Sequence, residues 1–519
     1  MKNVRIMLGY CPVYGKDLSH ELIKLDNVEF CYNAAEYYCY TEEDGKIENF
    51  NQRLGRETIY DKVYDLNKLP ALSKDLLEKM LPYESMIIKL SSRRIGFPTV
   101  DYEKEKRNYH KHLRFWNHIL DEYKINMIFF EEFPHISYTY LIYCLGKIKG
   151  IPMLLCNVTS IPGIRVYGTS IEDVGVNIHK YYESVCKNMS IEECCLSETV
   201  QEFYNKYTKP IKEIKEERKK NQFEKMELKR VTNYNYGSYM GVNAFAKAFR
   251  KRIHLIWMTV YQHKGKEWYR SHKDEIACIK EDSYKIRFYK KNNAMWLKQY
   301  NKMAIEPDYS KKYIYFGLQL TPEETTMPRA GVFSEQYTSI QLMARAAEKE
   351  NVFVYVKEHF VQTFRDKEVY KLLKSIPNVR LIKTSESSFD LMSNSIAVAT
   401  QTGTCILEGA LLGKPALVVS EGCFWKGMPG VFEITNEEQG AQVIHKILSG
   451  YHTEQNEIRK YFYAIQENTL KCYIQKEFWK QSDKSEHKES VKRMLGLIDD
   501  FIEKHEIPDK NGERLWKIK

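Results

Sequence analysis

Polar side chains follow several apolar runs of the sequence, each at the point where a buried strand would end. Lys357, Glu358 and His359 come directly after the run VFVYV. Ligands bind beyond the carboxyl ends of the strands in open α/β sheets. A histidine there can donate a hydrogen bond to a phosphate oxygen, and a lysine supplies a point charge. The triplet therefore predicts a phosphate contact, with a solvated loop as the alternative.

A second polar turn follows the run IAVAT and leads directly into a predicted helix. It contains Thr402, Gly403 and Thr404, so exposed N–H groups, the helix dipole and two hydroxyls would together favour an anion. The alternative is that a threonine only caps the helix and the glycine only permits the turn. Glu408, in the early part of that helix, could reach a ribose hydroxyl or could interact only with the helix dipole.

The third candidate is the loop TPEETTMPRAGVF, which occupies residues 321–333 after the run YIYFGLQL. Loops of this length are often functional. The loop contains Glu323, Thr325 and Thr326. A surface loop with solvated glutamates is the alternative.

The N-terminal part carries a matching group at the end of the run INMIFF. Glu131, Glu132 and His135 stand there. Carboxylates and a histidine at a strand end suit a general base that deprotonates a hydroxyl. The alternative is that a glutamate caps a helix or pairs with a basic residue. Arg165 follows the next strand and is predicted to lie near phosphate or an acidic acceptor sugar.

These groups need rigid elements to hold them, and the second part of the chain predicts such elements clearly. From about Lys311, short β-branched or aromatic runs alternate with helical stretches, which indicates a parallel, doubly wound sheet. The predicted strands are 313–320, 352–356, 379–382, 396–400 and 416–419. The predicted helices between them are 334–349, 366–375, 388–393 and 404–412.

The first 200 residues predict the same kind of unit. The N-terminal run is interpreted as a first strand and not as a signal peptide, and a strand, helix and strand extend from INMIFF to MLLC. We therefore predict an α/β protein with two Rossmann-like, doubly wound parallel-sheet domains, residues 1–205 and 306–452. A basic helical connector, 206–305, joins them, and a helical tail, 453–519, follows.

Four motifs stand in a fixed order between residues 313 and 432: PEETTMPRAGVFSEQ, YVKEH, ATQTGTCILEGALLGKPALV and GMPGVF. In that order they resemble the family of bacterial capsule and surface polysaccharide biosynthesis proteins, whose usual forms are close to PE.TT.P.GG.F.DQ, YVKEHP, TGT..WE...GKP and PGVF. The resemblance implies a glycosyltransferase B architecture, related in form to Kdo-transferase-like and sialyltransferase-like enzymes. Its C-terminal half would bind the nucleotide sugar, and its N-terminal half would face the acceptor.

Carried over to this sequence, the resemblance implies that His359 contacts donor phosphate and that residues 402–404 form the phosphate turn. It also implies that Glu408 faces the nucleotide ribose and that Glu323, Thr325 and Thr326 line the cleft. The sequence EEFPH resembles the family's strand that ends in E.PH. This chain has Phe360 where the family usually has proline, and Leu407 where the family often has tryptophan.

Several other chemistries have no support in the sequence. It contains no GxxxxGK[ST], GxGxxG, HExxH, GxSxG or DxD, the patterns of P-loop, dinucleotide-binding, zincin and serine-hydrolase sites and of a metal-dependent transferase. We therefore assign no catalytic metal and no cofactor, and expect lysine and helix dipoles to stabilise the leaving phosphate. Twelve cysteines without a CxxC indicate reduced thiols and no disulfide framework.

The net charge of +10 is concentrated in one segment. Residues 209–302 contain 24 Lys and Arg against 10 Asp and Glu. Within them, residues 241–262 predict a helix with an apolar and a basic face. Three interpretations stay open: a solvated connector, an interfacial helix on anionic lipid, and a groove for an acidic polysaccharide. Nucleic acid is not expected as a partner, because no recognised binding fold accompanies the charge.

Together these features predict a cytoplasmic glycosyltransferase of surface polysaccharide assembly, peripheral at the inner membrane face if the basic helix binds lipid. Its donor would be a CMP- or UDP-linked sugar, and its acceptor a hydroxyl of a glycan or a lipid-linked molecule. No apolar run approaches the about 18 residues of a spanning helix. The alternatives are a non-catalytic glycan-binding or assembly subunit, a nucleotide-sugar epimerase and a polyol-phosphate transferase.

Overall fold

The chain forms two α/β halves, each built around one mainly parallel sheet. The computed structural model describes residues 3–36, 39–62, 64–95, 101–220, 296–321, 323–359, 362, 365–472, 484–505 and 507. The basic connector between residues 221 and 295, with the predicted helix 241–262, lies outside these ranges. Two Rossmann-like halves were predicted from the sequence, and this prediction is confirmed.

The first half contains an eight-stranded sheet. Its strands are β1 (Val4–Tyr10), β2 (Val28–Glu36), β3 (Tyr40–Glu42), β4 (Ile47–Asn51), β5 (Met127–Phe130), β6 (Met153–Val158), β7 (Ile164–Gly168) and β14 (Leu470–Lys471). They lie in the order β14-β7-β6-β5-β1-β2-β4-β3. The central pairs are parallel, whereas β3, β7 and β14 add antiparallel edges.

The second half contains a six-stranded sheet. Its strands are β8 (Tyr313–Gly317), β9 (Phe353–Lys357), β10 (Val379–Ile382), β11 (Ala397–Thr400), β12 (Ala416–Val418) and β13 (Val431–Glu433). They lie in the order β10-β9-β8-β11-β12-β13, and every neighbouring pair is parallel. Near-continuous apolar runs such as AVAT fit this arrangement, because helices cover both faces of a parallel sheet.

Helices flank both sheets. Those numbered before β8 are α1 (Gly15–Leu22), α2 (Gln52–Glu57), α3 (Lys74–Ile95), α4 (Tyr102–Glu122), α5 (Ser137–Lys149), α6 (Val176–Ser184), α7 (Glu198–Thr208) and α8 (Ile211–Lys220). Those after β8 are α9 (Gln336–Glu348), α10 (Lys367–Ser375), α11 (Ser388–Asn394), α12 (Cys405–Leu411), α13 (Glu437–Leu448), α14 (Gln455–Glu467) and α15 (Lys484–Lys504). Residues 296–303 are also helical.

Parts of the predicted connector and of the predicted tail pack with the two halves. Trp296 and Tyr300, placed in the connector by the sequence, are buried in the core of the second half. The tail returns to the first half, because β14 pairs with β7 and α15 packs on α1. The sequences of a two-residue strand and an amphipathic helix do not indicate which part of the protein these elements pack against.

Within the described residues, no helix is both long and apolar enough to cross a bilayer. The described cysteines are all free thiols.

Candidate functional site

The loop of residues 321–333 lies where the two halves meet. It leaves the carboxyl end of β8, and its Glu324 accepts a hydrogen bond at Oε1 from Nδ2 of Asn157, at 2.5 Å. Asn157 stands near the carboxyl end of β6 in the first half. Arg329 of the same loop donates from Nη1 to Glu324 Oε1 at 3.3 Å. The loop therefore brings the carboxyl ends of strands from both sheets to one place.

The polar turn after β11 is fixed by the segment after β8. The N–H of Thr402 donates to Oε1 of Gln319 at 3.1 Å, and the Thr402 hydroxyl donates to the carbonyl of Thr325 at 2.7 Å. The N–H of Gly403 donates to Oγ1 of Thr400 at 3.3 Å. The sequence predicted exposed N–H groups here, but two of them are satisfied inside the protein. Thr402 therefore connects the turn to the loop of residues 321–333, which is called the cleft loop below.

Thr404 and Glu408, two other residues of the predicted donor site, differ in their surroundings. Thr404 is exposed at the start of α12, where its side chain forms no capping hydrogen bond. Glu408 accepts at Oε1 from the hydroxyl of Tyr207, on α7, at 3.1 Å. The simple capping alternative thus fails for Thr404, and Glu408 contacts the C-terminal end of α7, at the start of the predicted connector.

Inside the cleft loop, the predicted lining residues form a closed turn. Oε2 of Glu323 accepts from the N–H of Thr325 at 3.0 Å and from its hydroxyl at 2.7 Å. The Thr326 hydroxyl is fully buried and donates to the carbonyls of Leu320 and Glu323, both at 3.0 Å. Thr326 therefore shapes the loop, while Glu323 and Thr325 stay closer to its surface.

His359 follows β9 beside a buried ion pair. Burial, together with the charge of Arg365, lowers the pKa of His359 to about 4, although Glu358 opposes the shift. The imidazole is consequently neutral at pH 7, so it can donate a hydrogen bond to phosphate but adds no positive charge. Lys357 is buried, and its Nζ donates to Oγ of Ser388 at 2.9 Å.

The ion pair next to His359 was not predicted from the sequence. Nε of Arg365 donates to Oε2 of Glu358 at 2.7 Å, and both side chains are almost completely buried. Nη2 of Arg365 also reaches the carbonyl of Gln319 at 2.8 Å. The pair therefore links the end of β9 to the segment that holds the Thr402 turn. A single arginine seven residues after a glutamate is not a pattern that predicts such a contact.

At the end of β5, Glu131 and Arg165 of β7 form a buried ion pair. Nη2 of Arg165 lies 3.3 Å from Oε1 of Glu131, and the two side chains are 1% and 0% exposed. Oε2 of Glu131 also accepts from the N–H groups of Val13 and Tyr14. Burial raises the pKa of Glu131, while Arg165 and these N–H groups oppose the shift. Arg165 was expected near phosphate or an acidic sugar; instead its guanidinium neutralises a buried carboxylate.

Glu132 has a different environment. Its side chain is partly buried and forms no hydrogen bond with the described part of the chain. Burial, then the charges of Glu131 and Glu324, raise the pKa of Glu132 to about 7, against the opposing charge of Arg165. A carboxylate with a pKa close to neutral pH is well matched to general base catalysis. Of the two predicted carboxylates, Glu132 is therefore the better placed base.

His135 lies close to the same strand end. Its Nδ1 is 2.7 Å from the carbonyl of Phe133, and its ring meets Tyr10 edge to face with centroids 5.3 Å apart. A carbonyl only accepts, so Nδ1 carries a proton and donates it to this carbonyl. This hydrogen bond orients the ring.

No family model and no curated protein matches the chain. Among solved structures, it is similar to a β-Kdo 2,4 transferase KpsC from Thermosulfurimonas dismutans, at 10% identity over 66% of this chain and 79% of that one, with a TM-score of 0.28. A β-Kdo 2,7 transferase KpsC of the same organism is 14% identical over 40% of this chain and 61% of that one, with a TM-score of 0.23. A UDP-GlcNAc 2-epimerase from Methanocaldococcus jannaschii is 11% identical over 90% of this chain and 99% of that one, with a TM-score of 0.23.

Proposed function

We propose that this protein is a glycosyltransferase of surface polysaccharide assembly, which moves a sugar from a nucleotide donor to a hydroxyl of a glycan or lipid-linked acceptor. The observation that carries the proposal is the cleft loop of residues 321–333. This loop contacts polar groups at the carboxyl ends of strands in both sheets. These contacts of one loop with both sheets support a shared site for donor-side and acceptor-side residues that are far apart in the sequence.

On the donor side, His359 would donate a hydrogen bond to a phosphate oxygen as a neutral imidazole. The turn of residues 402–404 would contact the same phosphate through the exposed Thr404 and the remaining backbone of the turn. Glu323 and Thr325 would line the approach. This assignment keeps the site predicted from the sequence but removes two N–H groups from the phosphate, because the protein already uses them.

On the acceptor side, Glu132 would accept the proton of the attacking hydroxyl. The hydroxyl oxygen would then bond to the anomeric carbon of the donor. The bond between that carbon and the phosphate oxygen would break, and its electron pair would leave with the nucleotide phosphate. His135, which follows Glu132 by three residues, would orient the acceptor. Glu131 and Arg165 hold the strand end in shape.

The test is turnover by the full chain of a series of nucleotide sugars, with and without a glycan acceptor. Glu132→Gln should keep donor affinity and lose most of the turnover, because a base on the acceptor side acts mainly in the transition state. A Glu132→Gln protein with unchanged turnover would reject the role. If the protein converts the donor to an epimer and transfers no sugar, its activity is that of an epimerase and not of a transferase.

A further inference from the structure

Glu408 lies on the side of α12 that the core leaves accessible. Five of the seven residues of this helix are buried, whereas Cys405 and Glu408 are partly exposed. The N–H of Glu408 donates to the carbonyl of Thr404 at 3.2 Å, so the two residues are one helical turn apart on the same side of the helix. A nucleotide whose phosphate lies at the turn of residues 402–404 would therefore extend its ribose along this side towards Glu408.

The carboxylate of Glu408 is chemically suited to a ribose. Ribose hydroxyls can donate hydrogen bonds, and an ionised carboxylate only accepts them. An acidic side chain binds the ribose of dinucleotides in this way in Rossmann-type folds. Because a carboxylate has two oxygens and about four lone-pair positions, it can accept from a protein hydroxyl and from a ribose hydroxyl together.

Tyr207, on α7, holds this carboxylate from the side. Its hydroxyl donates to Oε1 of Glu408 at 3.1 Å, and the residue is 7% exposed. Its ring centroid lies 5.4 Å from that of Phe203, and the ring of Phe203 lies 6.2 Å from that of Phe462 on α14. Helix α7 packs against both α12 and α14. The Tyr207 hydroxyl is therefore a fixed donor, and it restricts a glutamate side chain that would otherwise sample several rotamers.

We propose that Tyr207 is a positioning residue of the donor site: its hydroxyl holds the Glu408 carboxylate where that carboxylate accepts a hydrogen bond from a ribose hydroxyl of the nucleotide. This inference rests on the proposed function, in which the turn of residues 402–404 contacts the donor phosphate. Tyr207 itself contacts no atom of the donor. A residue that precedes the second sheet by the whole connector thus contributes to the preference for ribose over deoxyribose.

The experiment is a calorimetric titration of the full chain with nucleotides that differ in a single ribose hydroxyl. Whichever of CMP, UDP and GDP binds the wild type most tightly is compared with its 2′-deoxy and 3′-deoxy analogues. At least one analogue should bind the wild type roughly 10- to 100-fold more weakly, the range for losing a hydrogen bond to a charged group. In Tyr207→Phe this penalty should shrink by about 2- to 10-fold, because the carboxylate remains but is no longer held.

Two further variants separate positioning from packing. Tyr204→Phe is the matched control, because Tyr204 lies one turn earlier on α7, is 9% exposed, and donates from its hydroxyl to the carbonyl of Gln455 at 3.4 Å. It should keep the wild-type penalty. Glu408→Ala should remove the penalty. Adding Tyr207→Phe to Glu408→Ala should then change no affinity, because the hydroxyl has no carboxylate left to hold.

The same titrations give the results that would overturn the proposal. These are equal affinity of the wild type for the nucleotide and both analogues, an equal penalty in wild type and Tyr207→Phe, or an equal loss of affinity for all three ligands in Tyr207→Phe, which indicates a merely structural role. If Tyr207→Phe does not fold, a wild-type penalty in Glu408→Ala still overturns the proposal. If the wild type binds none of the three nucleotides, the donor site is contradicted together with the role of Tyr207, whereas binding with an unchanged penalty contradicts Tyr207 alone.

Discussion

Replacing Arg165 by methionine tests whether the Glu131–Arg165 pair is structural. The variant leaves the fully buried Glu131 carboxylate with the N–H groups of Val13 and Tyr14 but without its countercharge. Breaking a buried ion pair by removing one partner costs about 3–5 kcal/mol. We expect the low end, about 3 kcal/mol, because two backbone donors remain. For a domain of this size, that corresponds to a fall in Tm of roughly 6–12 °C.

The assay is thermal unfolding followed by circular dichroism at pH 8 and at pH 5. Without Arg165, the folded pKa of Glu131 lies further above its unfolded value, so the folded state binds more protons than the unfolded state. Stability then rises as pH falls from the folded pKa towards the unfolded pKa, so the loss in Tm should be smaller at pH 5. The double variant Arg165→Met, Glu131→Gln should recover most of the loss, because the amide oxygen still accepts from Val13 and Tyr14.

Lys187→Met is the control, because Lys187 pairs with Glu183 on the surface at 2.9 Å. An exposed pair is worth less than about 1 kcal/mol, so its Tm should hardly change. An Arg165→Met protein with unchanged Tm and abolished turnover would refute the reasoning. Arg165 would then act on substrate, as the sequence suggested.

Three further predictions follow from the geometry. His359→Ala should weaken nucleotide binding by roughly 1–3 kcal/mol in calorimetry, and His359→Gln by less, because a neutral ring acts only as a hydrogen-bond partner. Gly427→Ala should lower Tm more than Gly450→Ala: both glycines have positive φ, but a Cβ at Gly427 would overlap the ring of His179, whereas no atom of the described residues lies within 4 Å of a Cβ at Gly450. Turnover should rise with pH through about 7, because Glu132 must lose its proton to act as a base; a flat profile from pH 5 to 9 would contradict that role.

Much of the fold could be predicted because the second sheet is parallel and buried. The strand predicted at 379–382 coincides with β10, and the one predicted at 396–400 begins one residue before β11. The helix predicted at 404–412 ends as expected before Gly413, which adopts a positive φ. Continuous apolar runs bounded by glycine and proline gave these elements strong local signals.

The strands on either side of the centre of the first sheet were harder to predict. Strands β2, β4 and β7 mix polar and apolar residues, and β14 has only two residues. An edge strand is stabilised by the neighbour that it pairs with, and this neighbour can be distant in sequence. Leu470, for example, pairs with Arg165. No local pattern encodes such a contact.

The candidate site shows the same division. The positions of His359 and Glu132 after the carboxyl ends of β9 and β5 could be predicted from the apolar runs that precede them, whereas their roles stay predictions. Gln319, Asn157 and Arg329 were missed, because each acts through a partner brought near only by the folded chain. The sequence could not distinguish Glu131 from Glu132, since the difference lies in the arginine that reaches one carboxylate from another strand.

The most direct test of the central claim is a calorimetric titration of the full chain with CMP, UDP and GDP, repeated for His359→Ala and Glu132→Gln. We expect that at least one nucleotide binds the wild type, that His359→Ala weakens this binding, and that Glu132→Gln leaves it unchanged. If the folded wild type binds none of the three, the nucleotide-sugar site is contradicted. Equal loss of affinity in both variants would place Glu132 on the donor side of the cleft and contradict its role as the acceptor base.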